Sequence, residues 1–398
     1  MALFLVQAGF HGFTATLPLA LAGAGRSDAE IGALVGISAL VQIGGALAGG
    51  ALTDRFGGIR LFVLGGICYL IACGLLYLAG TAESGTLLLI AARVLQGAGF
   101  GFAVPSALSV VPGLVPIERR GVAIATAGSA HNLTLVAIPP VSIVVLYQYG
   151  LTGVTVFVSL LVVAGLALAL VRPFGVVSTA ETVLGAAKRR FGFAYRRSWR
   201  GPLAITIFFV IHWGVLTAYL PQRAEAAGAN IGLFFAADGL FVLLTRIPAG
   251  WLADHMRPVV VVVAGIAMTA VAVAMLLTPL TTPMLILAGI LTGTGAALIV
   301  QPLMLALTER SSDADRGSAF ALFSATFSAG IAIGTIGTAP LVETVGFATL
   351  LTAAFGALVV SAIVAFADSG LRQSPSAARR GALDNAELTS EVGTPIGP

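Results

Sequence analysis

Gly50-Ala51-Leu52-Thr53-Asp54-Arg55-Phe56-Gly57-Gly58-Ile59-Arg60 sets an acid, bases and glycines directly after a long apolar run. The arrangement returns as Gly250-Trp251-Leu252-Ala253-Asp254-His255-Met256-Arg257-Pro258, the same Gly-x-Leu-x-Asp-basic order 200 residues further along a chain of 398. One such loop is a helix end that carries charges. Two of them at half-chain spacing mark a duplicated structural unit.

Two further landmarks repeat. Thr14-Ala15-Thr16-Leu17-Pro18 is answered by Thr217-Ala218-Tyr219-Leu220-Pro221, shifted by 203, so the first apolar run is the counterpart of the seventh. Pro116-Ile117-Glu118-Arg119-Arg120-Gly121 is answered by Asp313-Ala314-Asp315-Arg316-Gly317, shifted by 196.

Hydrophobic residues make up 58% of the chain and charged residues 10%, with a mean hydropathy of +1.01. A water-soluble domain of this size does not have such a composition; a bilayer protein does. About 20 apolar residues cross roughly 30 Å of hydrocarbon, and about twelve such runs can be laid out. They cover 2–22, 31–53, 59–80, 86–111, 121–147, 151–172, 201–220, 230–252, 258–279, 282–308, 316–340 and 345–367. The expected fold is an all-α membrane protein of two pseudo-symmetric six-helix bundles, 1–172 and 201–367. A basic cytoplasmic linker, 173–200, joins them, and a disordered cytoplasmic tail, 368–398, follows.

The net charge of +4 and pI of about 9.4 are explained by where the bases fall. With both termini cytoplasmic, Arg26 and Arg223 are the arginines left outside, and the remaining loop bases lie inside. That asymmetry accounts for the basicity without nucleic acid. In the linker, Lys188-Arg189-Arg190-Phe191, Tyr195-Arg196-Arg197 and Trp199-Arg200 read as bases and aromatics of a surface helix lying on anionic lipid headgroups. Cys68 and Cys73 lie five apart on different faces of one helix, as packing residues. Ala20-Leu21-Ala22 ends the first run as a signal-peptidase site does, but no positive segment precedes it.

The Gly50–Arg60 loop resembles the loop between the second and third helices of major facilitator superfamily transporters, Gly-x-Leu-Ala-Asp-Arg-x-Gly-Arg-Arg. Gly50, Leu52, Asp54, Arg55 and Gly57 match, while Gly58 and Ile59 stand where two bases are usual. The resemblance implies that Asp54 meets the N-terminal end of helix eleven and that Arg55 and Glu118 extend a gating network. Gly50, Gly57, Arg120, Gly250, Asp254, Arg257 and Arg316 complete the two loops. Arg93-Val94-Leu95-Gln96-Gly97-Ala98-Gly99 resembles the superfamily's helix-four motif, whose arginine is implicated in proton coupling. In helix five, Thr134, Ile138, Ser142 and Ile143 replace the glycines of the exporter signature, leaving Pro139. Leu216 to Asp254 resembles the bacterial drug and sugar efflux branch.

By the same resemblance, the first and fourth helices of each half line a shared cavity. It would receive Gln7, His11, Thr14, Arg93, Gln96 and Asn132 from the first half and His212, Tyr219 and Gln301 from the second. On helix one, Gln7, His11, Thr14 and Pro18 form an i, i+4, i+7, i+11 polar stripe, whereas helix three reads as plain scaffold facing lipid. A charged group in hydrocarbon costs roughly 2.5–3.5 kcal/mol on insertion scales, so intramembrane ionisable groups are functional candidates. Asp238, His11, His131 and Arg93 are the candidates for proton coupling, with His212 as a further titratable group. Arg246, two turns beyond Asp238 on the same face, extends an indirect network.

No phosphate-binding glycine loop, metal-spaced cluster or nucleophile elbow occurs in the sequence. The expectation is a monomeric, non-enzymatic transporter without metal or cofactor, in the cytoplasmic (inner) membrane. It would export a small amphipathic or apolar organic molecule in exchange for protons. The runner-up is an importer or facilitator in which Arg93 pairs with an organic anion, and a transport-inactive receptor is the reading from another class.

Overall fold

The protein is described here by a computed structural model covering residues 1–80, 85–111, 116, 120–171, 195–312 and 315–372; positions 50, 51, 54, 120–127, 129, 131, 132 and 171 are described by backbone alone. Among these residues the secondary structure is helical, without strands. The helices are α1 (Ala2–His11), α2 (Thr16–Gly23), α3 (Asp28–Phe56), α4 (Gly58–Ala79), α5 (Thr86–Val110) and α6 (Arg120–Val171) in the first half. The second half holds α7 (Arg200–Ala226), α8 (Ile231–His255), α9 (Pro258–Met275), α10 (Thr282–Glu309), α11 (Arg316–Thr335), α12 (Ala339–Ala367) and the short α13 (Ser369–Arg372).

Among the described residues, eleven helical stretches are long and apolar enough to cross a membrane. Neither α1 nor α2 crosses alone; together they form the first span, Ala2–Gly23. At 1.5 Å per residue, the 52 residues of α6 would be about 78 Å long, more than twice the hydrocarbon thickness. Gly150, at φ 65° and ψ −171°, breaks α6 into two crossings. Gly346, 196 residues later, makes the same break in α12 at φ 78°. Both conformations are open to glycine and strained for other residues, so the duplication extends to the hinges.

Local signals set the helix ends. Ser27 and Glu30 make a reciprocal capping box that starts α3 at Asp28, three residues before the expected span. Gly57, at φ 83°, ends α3 and begins α4 in a single residue. The eleventh span, expected to reach 340, stops at Thr335, and Ala339 begins a segment that turns at Gly346 into the twelfth.

Within each half the same helices cross through the same small residues. In the first, a Cβ on Gly65 would lie 2.9 Å from the Gly99 carbonyl oxygen; in the second, one on Gly265 would lie 2.7 Å from the Gly295 oxygen. Close backbone approach of this kind drives helix association in lipid, where apolar side chains gain nothing by leaving the solvent. α4 is not the plain lipid-facing scaffold expected of it. Ile67, Ile71 and Leu78 are exposed, but Cys68, Tyr69, Cys73 and Leu76 are buried, and both cysteines are free thiols.

The halves meet along two seams, α3 against α11 and α6 against α8. At the first, the Tyr219 hydroxyl fills the place of a side chain on Gly32, Thr335 and Ile336 fill that of Gly36, and the Ser328 hydroxyl lies 3.4 Å from Gln42 Oε1. At the second, Val136 packs on Gly239, Pro140 on Gly232, and Arg246 reaches Gly128.

Residues at the end of the linker and at the start of the tail also differ from expectation. Trp199, expected on the membrane surface, is fully buried and donates its indole N–H to the Arg310 carbonyl at 3.2 Å. Arg196 pairs with Asp315; the Ser312 hydroxyl and the Arg196 guanidinium hold that carboxyl below its usual range. Asp368, placed at the start of an irregular tail, instead receives both Nη groups of Arg310, at 2.9 and 2.8 Å, and caps α13. Burial alone would raise its carboxyl, but the Arg310 hydrogen bonds, the Arg310 charge and backbone N–H groups outweigh it and hold it low. Residues 173–194 and 373–398 lie outside the described residues.

Candidate functional site

Helix one is interrupted where the site was expected. Gly12 to Ala15 form a turn between α1 and α2, so the polar stripe through Gln7, His11, Thr14 and Pro18 does not run along one straight cylinder. In the turn, the Phe13 N–H bonds the Phe10 carbonyl and the Thr14 N–H the His11 carbonyl, leaving the Gly9 carbonyl without its usual i+4 donor. Gln96 of α5 supplies one: its Nε2 donates to Gly9 O at 3.3 Å.

Gln96 is itself held by Arg93, whose Nη1 donates to Gln96 Oε1 at 2.6 Å. The rest of the guanidinium faces α3. Nε donates to Leu34 O at 3.0 Å, and Nη2 to Val35 O at 2.7 Å and Ser38 Oγ at 2.6 Å. The Phe10 ring lies 5.9 Å from its central carbon, a favourable cation–π position. Arg93 is 3% exposed and makes no ion pair among the described residues. Its charge is therefore solvated by dipoles of its own half, and it fastens α5 to α3 beside the break in helix one. Gln7, fully buried, accepts from the Tyr69 hydroxyl at 2.9 Å. The first half thus holds two polar contacts, Arg93 with Gln96 and Gln7 with Tyr69, and Tyr69 is the member that an apolar reading of α4 passed over.

His11 is buried with its ring edge-on to Phe10, 5.4 Å between centroids. Thr14 Oγ1 and Ser142 Oγ are buried hydroxyls beside this turn without a hydrogen-bond partner among the described residues. His212 in α7 is buried, and its Nδ1 bonds the Phe209 carbonyl one turn back. A carbonyl only accepts, so Nδ1 carries the proton. Tyr219 sits on the α3 seam, donating to Thr335 O and accepting from Thr338 Oγ1, each at 3.3 Å. Gln301 is half-buried on α10. His212 and Tyr219 therefore do not join the Arg93 network.

Asp238 is 3% exposed in α8, facing α10 rather than a group of its own helix. Thr292 Oγ1 lies 2.7 Å from its Oδ1. Arg246, expected to extend a network from Asp238, instead lies with Nη2 3.4 Å from the place of a Cβ on Gly128. Thr292 was not singled out from the sequence; a hydroxyl opposite an intramembrane carboxylate becomes evident only when α8 and α10 are paired.

Of the expected gating residues, Arg55, Asp254 and Arg257 are exposed, and none of the three makes an ion pair among the described residues. Gly57 makes the α3–α4 break and Gly250 lies within α8, while Arg316 opens α11. Glu118 and the side chains of Asp54, Arg120, His131 and Asn132 lie outside what is described, and the Gly50 backbone is part of α3. A junction at the other end of the molecule was not foreseen. Arg223 pairs with Asp28, joining the last turn of α7 to the first turn of α3, and Gln222 Nε2 lies 3.4 Å from Asp28 Oδ1. Arg26 pairs with Glu30 at 3.4 Å and donates to Thr86 Oγ1 at 3.0 Å. Both arginines expected outside thus have acidic partners.

A family model described as Major Facilitator Superfamily matches residues 1–228 and 203–392. The chain belongs to the major facilitator superfamily. With its spanning helices it is an integral, multi-pass membrane protein. It is 39% identical over 90 residues to the uncharacterized MFS-type transporter Rv1250 of Mycobacterium tuberculosis (strain ATCC 25618 / H37Rv), a match spanning 22% of this chain and 14% of that protein. Among solved superfamily structures it is similar to a POT family transporter in complex with 5-aminolevulinic acid, at TM-score 0.73 and 13% identity, covering 94% of this chain and 95% of the other. It is also similar to the inward open conformation of the xylose transporter XylE from E. coli, at TM-score 0.70 and 15% identity, covering 92% and 94%. At these identities the likeness is one of fold.

Proposed function

We propose that this superfamily member is a secondary transporter that moves a small organic molecule by alternating access, exchanging it for protons in the direction of export. The observation that carries the reading is a buried intramembrane carboxylate, Asp238, in a bundle whose halves are latched together at one end. Asp28 with Arg223, and Tyr219 over Gly32, join the halves there, while Arg55 and Asp254 at the opposite end stand exposed. With the termini cytoplasmic, the latched end faces outward, which is the geometry of a state closed to the outside. Two homologous bundles rocking about a midplane site then expose it to each side in turn.

Asp238 is the group assigned to the coupled proton, because it changes charge with protonation and its buried position makes that change costly unless the bundle rearranges. Arg93 is assigned a different part. All its described donors point into its own half, which favours a fastener over a ligand for an anionic solute. The export direction rests on the resemblance of Leu216 to Asp254 to the efflux branch. Apolar lining with a few polar groups suits an amphipathic solute.

The test is efflux of ethidium and rhodamine 6G from proteoliposomes under an imposed pH gradient, alongside counterflow without one. Wild-type protein should show gradient-driven efflux. Asp238→Asn should lose the drive by tenfold or more yet keep counterflow. Equal gradient dependence in the variant would remove Asp238 from coupling, and absence of counterflow across a wide solute panel would favour a receptor.

A further inference from the structure

The crossing that holds Asp238 has a twin in the first half, and comparison of the two isolates a residue to which no role has been given. With shifts of 200 for α3 onto α8 and 196 for α5 onto α10, Ser38 corresponds to Asp238, Gln96 to Thr292, Gly97 to Gly293 and Arg93 to Gly289. The contacts obey the correspondence. A Cβ on Gly97 would meet Ser38 at its carbonyl oxygen, 2.5 Å, and Cα, 3.1 Å; a Cβ on Gly293 would meet the same two atoms of Asp238. Where Arg93 Nε donates to the Leu34 carbonyl, Gly289 brings its backbone against the Phe234 carbonyl. One crossing thus holds a permanent cation and a hydroxyl, the other an acid and a hydroxyl with no ion-paired cation among the described residues.

Thr292 Oγ1 lies within hydrogen-bonding distance of three oxygens: Asp238 Oδ1 at 2.7 Å, Ala288 O at 3.0 Å and Gly289 O at 3.1 Å. A hydroxyl has one hydrogen to donate and lone pairs to accept with. When the carboxyl is ionised, the hydroxyl proton must point at Oδ1, because an anion cannot donate and two facing acceptors repel. When the carboxyl carries a proton on Oδ1, that O–H donates to Thr292 Oγ1, and the threonine hydrogen turns back to the Ala288 carbonyl. No heavy atom has to move, and Oδ1 and the Thr292 hydroxyl stay paired in both states.

We propose that Thr292 is the positioning residue of the Asp238 proton site, its hydroxyl reversing direction between the Asp238 carboxylate and the Ala288 carbonyl as the proton arrives or leaves. The proposal rests on Asp238 carrying the coupled proton. Among the described side chains, charged and titratable groups on the neighbouring helices are few. Arg246 of α8 reaches Gly128 of α6, and His212 of α7 bonds the Phe209 carbonyl. α7 presents Trp213 to Phe234 and Phe235, and α9 meets α10 at Gly265.

The experiment is an infrared titration of the full-length protein in lipid nanodiscs, with the Asp238 carboxyl band identified by its loss in Asp238→Asn. Thr292→Val keeps the side-chain shape and removes the hydroxyl. Its band should shift to higher frequency, and its midpoint should rise by about one pH unit, a tenfold gain in proton affinity, because the anion has lost its donor. Thr292→Ser should return both toward wild type. A Thr292→Val midpoint and frequency equal to wild type would overturn the assignment of Thr292 while leaving Asp238 as the proton site. Failure to find an Asp238-dependent band between pH 4 and 10 would overturn the coupling role of Asp238 and this inference with it.

Discussion

Arg93 shows how a single residue can look functional by composition and be fully engaged structurally. A guanidinium in an apolar helix suggests a ligand or a proton relay, yet its donors go to Leu34 O, Val35 O, Ser38 Oγ and Gln96 Oε1. Hydrogen bonds to a charged group contribute about 1.5–3 kcal/mol each at most, and burying that group without them is costly. Arg93→Lys keeps the charge but lacks the planar fork that reaches two helices at once. The expected result is a clear drop in melting temperature, equivalent to about 2–4 kcal/mol, measured by thermal unfolding in detergent. An unchanged melt combined with lost transport would instead make Arg93 a direct participant.

Among helices, adjacent glycines of α3 have opposite tasks. A Cβ on Gly45 would come 2.7 Å from Gly101 Cα, while one on Gly44 would meet nothing within 4 Å. Gly44→Ala should therefore stabilise the protein by up to about 1 kcal/mol through helix propensity. Gly45→Ala must push α5 away and should cost about 1–3 kcal/mol. Paired melting curves of the two variants decide the matter, and equal shifts would mean that the α3–α5 contact does not govern packing. The side of α3 carrying Ser38, Gln42, Gly45 and Gly49 was recognisable as a packing face. Its partners were not: Ser38 meets Arg93, Gln42 meets Ser328, and Gly45 and Gly49 meet Gly101.

For the whole molecule, Asp28 and Arg223 form the cross-half ion pair among the described residues, and both are partly exposed. A pair of that kind contributes typically 0.2–1 kcal/mol and weakens with salt, a small quantity that still matters between two conformations of similar energy. Asp28→Asn should raise the population separated between the N-terminal end of α3 and the C-terminal end of α7 by about 1.5- to 5-fold. Spin-label distance distributions across those ends would measure it, since Cys68 and Cys73 are buried away from the label. The exchange Asp28→Arg with Arg223→Asp should restore the wild-type distribution. If Asp28→Asn leaves the distribution unchanged, the pair is no latch.

The bilayer fold, the doubling of the chain and the family were determined by the sequence alone. Span length, composition and recurring loops are properties of local chain chemistry, and hydrocarbon permits few ways to satisfy a backbone. The partners of the polar residues were decided only by tertiary structure. Whether Arg93 faces a cavity or α3, whether Asp238 meets Arg246 or Thr292, and whether Asp28 reaches Arg223 depend on which helices cross and at what rotation. Periodicity places a residue on a face of its own helix, but the helix opposite that face comes from another part of the chain.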